Sequence, residues 1–304
     1  MKCSKAIIVS MCIMLCMFCA QLAAQDVTPP VPDTITLEYK FLKDDTTRYK
    51  LVLDMNANIQ MDAPAAQQIP QMAVKIVIVM NQKVVKVLEN GDAEISPKIE
   101  SIKMTMMGAT NELPLDKAPQ ITIVMSKTGV MKSITGMDKT VSDMFSGIPM
   151  LNAGSSGPQL SIFPDKPIAV GDAWIQDIPS PMGGNMHSEC KLLEKDAKAG
   201  NYTVAVYSQN INGDLKFSMT PPAGVAQTAI ALPQMGMSGK FDYKGTSKFS
   251  MDLGKLISSG GAMNMQIDLN APASPGTAAQ PIKVIVNGTF QMYIMPPAVP
   301  AKKK

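Results

Sequence analysis

Hydrophobic and polar positions alternate with a period of two over long stretches of this chain. In one stretch, Leu51, Leu53 and Met55 alternate with Val52 and Asp54. Successive side chains of a β-strand point to opposite faces of a sheet, so this pattern predicts strands with one buried face and one wetter face. Such strands usually form antiparallel sheets. The alternation continues in further groups: Ala57, Ile59 and Met61; Val74, Ile76, Ile78 and Met80; Ile102, Met104 and Met106; Met263, Met265, Ile267 and Leu269; and Ile282, Val284 and Val286.

Short turn signals separate these runs. Asn90-Gly91, Lys127-Thr128-Gly129, Asn212-Gly213 and Gly254 each stand between two strand-like segments and predict hairpin turns. Gly288 lies inside a strand-like segment and predicts a bulge or bend.

Helical signals are few. Residues 137–146 predict one short helix, with Met137, Val141, Met144 and Phe145 on a shared face. No alternation of strands and helices appears, which argues against a doubly wound α/β fold. We therefore predict a mainly β protein with long curved antiparallel strands in two halves, half-barrel or carrier-like, and one short helix between them.

Composition along the chain divides it into segments. Residues 151–162 are rich in Gly and Ser and predict a break between two β-rich halves. The proline-rich residues 25–34 predict a spacer, and the Pro/Lys-rich end predicts a disordered tail. The predicted organisation is 1–24 signal peptide, 25–34 spacer, 35–150 first half, 151–162 break, 163–295 second half and 296–304 tail.

The first 24 residues have the order of a secretory signal. Lys2 and Lys5 precede an apolar run over residues 6–20, and Leu22-Ala23-Ala24 offers small residues for cleavage. The run is too short to cross a hydrocarbon core of roughly 30 Å comfortably, and no second run of about 18 apolar residues follows. We expect an exported protein, periplasmic or extracellular, without a transmembrane segment in the mature chain. Leu15 and Phe18 precede Cys16 and Cys19, and such large residues argue against lipoprotein processing.

Cysteine and charge content narrow the functional classes. Four of the five cysteines lie in the signal, so only Cys190 remains and no internal disulfide is expected. The net charge is +3, and Arg48 is the only arginine. Nucleic-acid binders usually present a basic face, and phosphate recognition favours arginine, so we expect no nucleic-acid partner.

Three segments carry a resemblance to a known family. They are residues 39–49, residues 126–139 and residues 163–174 (FPDKPIAVGDAW). Together they resemble an uncharacterised family of exported, methionine-rich bacterial β proteins, a domain of unknown function of the DUF 6263 type. The resemblance extends from about residue 36 to residue 294. It implies the architecture and compartment given above and supplies no catalytic residue.

The third of these segments also has a physical interpretation. Pro164 and Pro167 hold the chain extended, Gly171 and Asp172 permit a turn, and Trp174 buries a large ring where the next strand begins. We expect a structural corner that docks one half of the protein on the other.

A soft-metal site is one hypothesis for the segment that ends at Cys190. Met182, Met186, His187 and Cys190 bring thioether, imidazole and thiol groups together in sequence, and these groups suit copper(I). On a strand, however, Met186 and Cys190 share one face while His187 points to the other. A packed Cys190 and a solvent-facing His187 are the competing interpretation.

Catalytic signals are weak. Cys190 and His187 fall on opposite strand faces, and no Gly-x-Ser-x-Gly motif is present. Asp165, Asp172 and Asp177 flank Trp174, but aspartates in such contexts usually belong to turns. We expect a non-enzymatic protein without a cofactor.

Methionine abundance supports the remaining hypothesis. The chain has 26 methionines, and most of those in strands fall on the apolar phase. Adaptable methionine surfaces suit apolar ligands. The inward face could therefore be an ordinary closed core, or a groove for a lipid or an envelope protein; a structural or protein-interaction module is the alternative. The candidate ligand-binding residues are Leu51, Met55, Ile59, Met61, Met104, Met106, Met263, Met265 and Ile267.

Overall fold

The structure is a computed structural model, and it describes residues 33–61, 71–112, 115, 120–136, 161–179, 185–219, 235–270 and 281–296. Every regular element in these ranges is a β-strand, and the strand pairs in its main sheet are antiparallel, so the predicted mainly β fold is confirmed. The described residues from Ile35 onward belong to one compact unit. No helix in the described ranges is long and apolar enough to cross a membrane.

The strands of the first half begin and end as follows: β1 Thr34–Ile35, β2 Thr46–Met61, β3 Met72–Val87, β4 Ala93–Met106, β5 Ala109–Glu112, β6 Thr122–Met125 and β7 Met131–Thr135. Those of the second half are β8 Ile168–Ala169, β9 Ala173–Pro179, β10 Asn185–Ala199, β11 Tyr202–Met219, β12 Met235–Ser250, β13 Lys255–Asn270 and β14 Pro281–Met295.

One twelve-stranded sheet contains most of these strands. Its order is β7-β6-β4-β3-β2-β14-β13-β12-β11-β10-β9, with β5 beside β4, while β1 and β8 form a separate two-stranded sheet. Each half of the chain is therefore a run of neighbouring strands. The halves meet where the last strand of the second half, β14, pairs with the first long strand of the first half, β2.

The predicted hairpins are mostly present. Gly91, Gly129 and Gly254 lie in turns with positive φ, a conformation that glycine adopts at little cost. The hairpin turn predicted at Asn212-Gly213 is wrong, because β11 continues through both residues. Asn212 pairs with His187 on one side and with Asp242 on the other. The bulge predicted at Gly288 is also absent, since β14 keeps its register with both neighbours there.

Hydrogen bonds at one end of the strands show that the sheet is strongly curled. Tyr39 N donates to Lys127 O (2.7 Å), in the turn between β6 and β7, and Lys40 N donates to Gly254 O (3.2 Å), in the turn between β12 and β13. In a flat sheet these two turns would lie roughly 30 Å apart, six strand spacings of about 4.8 Å. Two consecutive residues can reach both turns only because the sheet rolls around them.

Several predicted features lie outside the described residues. They are the signal and most of the spacer, the helix at 137–146, most of the break at 151–162, and nearly all of the tail.

Candidate functional site

One face of the curled sheet, called here the concave face, is apolar from the middle of strands β2, β3, β4, β13 and β14 to one of their ends. In an antiparallel pair, directly opposed residues share a face. Met106, Val74, Met55, Gly288 and Met263 are opposed in turn across five strands and form one row. The neighbouring row contains Met104, Ile76, Leu53, Phe290 and Gly261. The sequence alternation therefore becomes a continuous apolar surface across strand boundaries.

Burial on this face falls from one end of the strands to the other. We call the end with the turns at Gly91, Gly129 and Gly254 the turn end, and the opposite end the far end. Leu51 and Leu53 are fully buried near the turn end, whereas Met55, Ala57 and Ile59 on the same strand are half-buried. On β4, Ile102 is buried, Met104 is half-buried and Met106 is 42% exposed. The closed core thus passes into an apolar surface that water reaches.

A second apolar cluster, called the far cluster, lies beyond the main core on this face. Met265 and Val286 are its buried members. Met55, Ala57, Phe241, Ile267 and Val284 pack against them and are half-buried. Met55 also packs against the main core, so the two clusters form one surface.

The nine predicted ligand-binding residues divide between these two environments. Leu51 and Met263 belong to the closed core, and Met265 to the far cluster. Met55, Ile59, Met104 and Ile267 are half-buried toward the far end, and Met106 is exposed. Met61 ends β2, and its side chain lies outside the described residues.

An aromatic cluster fills the turn end, and the sequence did not reveal it. The Phe163 ring contacts the rings of Tyr39, Tyr207 and Phe249, with centroids 5.4, 5.8 and 4.7 Å away. Tyr39 and Phe249 also meet edge to face at 5.3 Å. These rings come from β11, β12 and two segments outside the sheet, so no local spacing relates them.

The predicted corner residues lie beside this cluster. Trp174 is buried against Tyr207, and its Nε1 donates to Ile162 O (2.9 Å). Phe163 N donates to Thr128 O (2.8 Å), so the segment joins β9 to the β6–β7 turn, nine to ten strand spacings away along the sheet.

The turn within the corner is held by its aspartate. Gly171 has a φ of +98°, and Asp172 Oδ2 accepts a hydrogen bond from Ala169 N (2.9 Å). Pro164 is half-buried and Pro167 is exposed.

Polar side chains on the concave face of β9 to β13 are neutral and mostly buried. Tyr207 and Ser161 hydroxyls lie 2.5 Å apart, and Ser247 Oγ donates to Ser259 Oγ (2.9 Å). Burial raises the pKa of Tyr207 and of Tyr243 above the usual value for a phenol. These hydroxyls therefore stay protonated and satisfy one another inside the core.

The candidate metal ligands are separated by the sheet. Cys190 is buried on the concave face opposite Trp174. His187 is exposed on the other face, where its Nδ1 lies 3.0 Å from Asp177 Oδ1. Met186 is half-buried on the side of Cys190, and Met182 lies outside the described residues. Within the described ranges, no three His, Cys, Asp or Glu side chains form a group that could hold a metal ion.

Cys190 has the properties of a packed thiol. Burial raises its pKa to about 11, and Ser188 Oγ lies 3.7 Å from its sulfur. A thiol with so high a pKa is a poor nucleophile at neutral pH, because the thiolate is the reactive form.

Comparison with known proteins gives no family. No protein-family model matches the sequence, and no curated protein matches it. Among solved structures, the chain is similar to a structure of lipovitellin that concerns lipid–protein interactions. The TM-score is 0.42, and the identity is 10% over 87% of this chain and 26% of that chain. The chain thus spans about a quarter of the lipovitellin chain. A mutant porin of Rh. blastica gives a TM-score of 0.19 and 8% identity over 83% of this chain and 99% of that chain. Similarities this low carry no argument about function.

Proposed function

We propose that this protein binds an apolar ligand, the acyl chain of a lipid, against the far part of its concave face, and that it does so without catalysing a reaction. The observation that carries the proposal is the fall in burial along one apolar face. A core that only stabilised the fold would bury its apolar side chains to similar degrees, whereas here Met55, Ile59, Met104 and Ile267 stay half-buried. Contiguous exposed apolar surface marks binding sites in many proteins.

The chemistry of the face favours an apolar ligand. From the row of Leu53 to the far end, its opposed positions on β2, β3, β4, β13 and β14 carry aliphatic, methionine, aromatic or glycine residues and no charged residue. Charged side chains such as Asp54, Lys75 and Lys103 take the alternate positions on the other face. Burial of ligand hydrocarbon would therefore stabilise a complex on the concave face, and this part of the face offers no ionic partner.

The shape of the surface favours a chain-like ligand. Leu53, Met55, Ala57 and Ile59 follow one strand, and six residues of strand span roughly 20 Å. Methionine side chains beside them are unbranched and adapt to a flexible partner. An extended acyl chain can lie along such a strip.

A protein partner is the second candidate function, and a separate observation favours it. Ile175 is 63% exposed on β9, which is an end strand of the sheet within the described residues. Val170 and Leu193 are also exposed near it. End strands can add a strand from a partner. This patch has three exposed apolar residues, fewer than the far part of the concave face presents, so we place it second.

The proposal also includes the cellular location of the protein and its family. We propose that the protein acts outside the cytoplasm, in the periplasm, cell envelope or extracellular space. The order of basic, apolar and small residues over positions 1–24 supports this location. Membership in the exported, methionine-rich family that residues 163–174 resemble is likewise a proposal.

A matched pair of variants tests the binding proposal. Ile59→Gln places an amide on the concave face, and Asn58→Gln changes the adjacent residue on the other face. With a dansyl-labelled fatty acid as the probe, we expect Ile59→Gln to weaken binding about ten-fold, the equivalent of losing roughly 55 Å² of apolar contact. Asn58→Gln should bind like the unaltered protein. Equal affinity of the two variants, with matching near-ultraviolet circular dichroism spectra, would contradict the proposal.

A further inference from the structure

Water reaches several methionines of the concave face on β2, β3 and β4. Met106 is 42% exposed, and Met55 and Met104 are half-buried in the same and the neighbouring row. Met72, which is opposed to Ala57, is half-buried as well. We call Met55, Met72, Met104 and Met106 the accessible methionines. They belong to the far part of the face, where the proposed acyl chain would lie.

Other methionines differ sharply from these in exposure. Met263, Met265 and Met292 also lie on the concave face, yet they are only 4%, 5% and 1% exposed. Met107, in the turn between β4 and β5, is 74% exposed and belongs to none of the apolar clusters of the described residues. The chain therefore contains shielded methionines, accessible methionines and one exposed methionine apart from the proposed site.

Exposure decides which of these sulfur atoms a soluble oxidant can reach. A peroxide converts a thioether to a sulfoxide, a modification that reductases reverse. A sulfur lone pair forms the S–O bond as the O–O bond breaks, and the proton of the transferred oxygen moves to the leaving oxygen. Sulfur is oxidised by two electrons, and hydrogen peroxide is reduced to water. The accessible methionines can undergo this reaction without unfolding of the core.

A sulfoxide on this face would oppose the binding of hydrocarbon. Its oxygen accepts hydrogen bonds, and an acyl chain has no donor to offer. The residues opposed to Met55 and Met106 are Val74, Gly288 and Ala109, whose side chains have no donor either. Covering a polar group without a hydrogen bond is unfavourable, so an acyl chain would bind the oxidised face more weakly.

We propose that the accessible methionines are a modification site, at which oxidation by a peroxide releases the acyl chain and reduction of the sulfoxide restores binding. The inference rests on the proposed function and adds a regulation of the same site. Leucine would offer similar apolar contact at these positions and would resist peroxide. The feature that carries the inference is therefore the thioether at positions that water reaches.

Peptide mapping by mass spectrometry measures the first consequence on the unaltered protein. In hydrogen peroxide, we expect Met107 and the accessible methionines to form sulfoxide before Met263, Met265 and Met292 do. Palmitate at ten times its Kd should slow oxidation of the accessible methionines about ten-fold, because it occupies most of the sites. Oxidation of Met107 should keep its rate.

The affinity for a dansyl-labelled fatty acid, before and after peroxide treatment, measures the second consequence. We expect the oxidised protein to bind about ten-fold more weakly than the reduced protein. A variant with leucine at all four accessible positions should show less than about a two-fold difference between its two forms. Met107→Leu is the control and should keep the full difference. Near-ultraviolet circular dichroism confirms that each form is folded.

Several results would overturn the inference. They are oxidation of the buried methionines first, equal protection of Met107 and the accessible methionines by palmitate, and undiminished affinity after oxidation. A folded four-leucine variant that is as sensitive as the unaltered protein would also contradict it. A reduced protein that binds neither fatty acid would contradict the acyl-chain proposal and the inference with it. Binding that peroxide leaves unchanged would contradict the regulation alone.

Discussion

At the scale of single residues, the turn end depends on a few large side chains that meet across the sheet. Trp174 could be predicted to be buried, because a large ring follows an extended proline segment and a turn. Its partner Tyr207 could not be predicted, since the two rings meet across β10 and this contact depends on a strand register that no local pattern encodes. The same is true of the rings around Phe163.

Replacing Trp174 tests the importance of the corner. Trp174→Ala should lower the free energy of unfolding by about 3–5 kcal/mol, because it removes a buried ring and its hydrogen bond to Ile162 O. Trp174→Phe should cost less, since it keeps part of the ring contact with Tyr207. Ile175→Ala, one residue away and exposed, should change stability by less than about 0.5 kcal/mol. Urea unfolding measures all three. Similar midpoints for Trp174→Ala and Ile175→Ala would show that the corner does not hold the fold.

At the scale of elements, the two-residue period was sufficient to find β2, β3, β4, β13 and β14 and to identify their inward faces. The Asn212-Gly213 prediction failed for a physical reason. An Asn-Gly pair forms a hairpin when its flanking segments pair with each other, but here β12 pairs continuously with both segments, and β10 pairs with the first segment as far as Gly213. Register shifts also escaped prediction, such as the one in β10 between Leu192 and Glu194, because they depend on the partner strand.

Two glycines with the same backbone conformation provide a test of the β6–β7 turn. Gly129 and Gly171 both have positive φ, near 91° and 98°. A Cβ on Gly129 would meet Ser161 O and the Tyr39 ring, whereas one on Gly171 would meet nothing within 4 Å. Both alanine variants place a side chain on a residue in the left-handed region of φ, which lowers the free energy of unfolding by about 1–2 kcal/mol. Gly129→Ala should lower the free energy of unfolding by about 2 kcal/mol more than Gly171→Ala does, because the segment that contains Ser161 must move.

Chemical unfolding of the two alanine variants checks this difference. Equal loss of stability in Gly129→Ala and Gly171→Ala would mean that the turn does not pack tightly against the segment that contains Ser161.

At the scale of the whole molecule, the sequence predicted antiparallel strands in two halves but not how the halves join. The pairing of β14 with β2 connects strands more than 200 residues apart, and no local pattern encodes it. Whether the inward face is closed or accessible also escaped prediction, because buried and half-buried positions show the same alternation. Leu53 and Ile59 have the same phase on one strand, and only the curl of the sheet distinguishes them.

The central claim is that the far part of the concave face holds an acyl chain. Native mass spectrometry of the protein, purified without detergent and incubated with mixed phospholipid vesicles, tests this claim most directly. The proposal predicts an adduct in the mass range of a lipid, reduced in Ile59→Gln and retained in Asn58→Gln. A bare protein mass in every preparation, under conditions that preserve the fold, would contradict it.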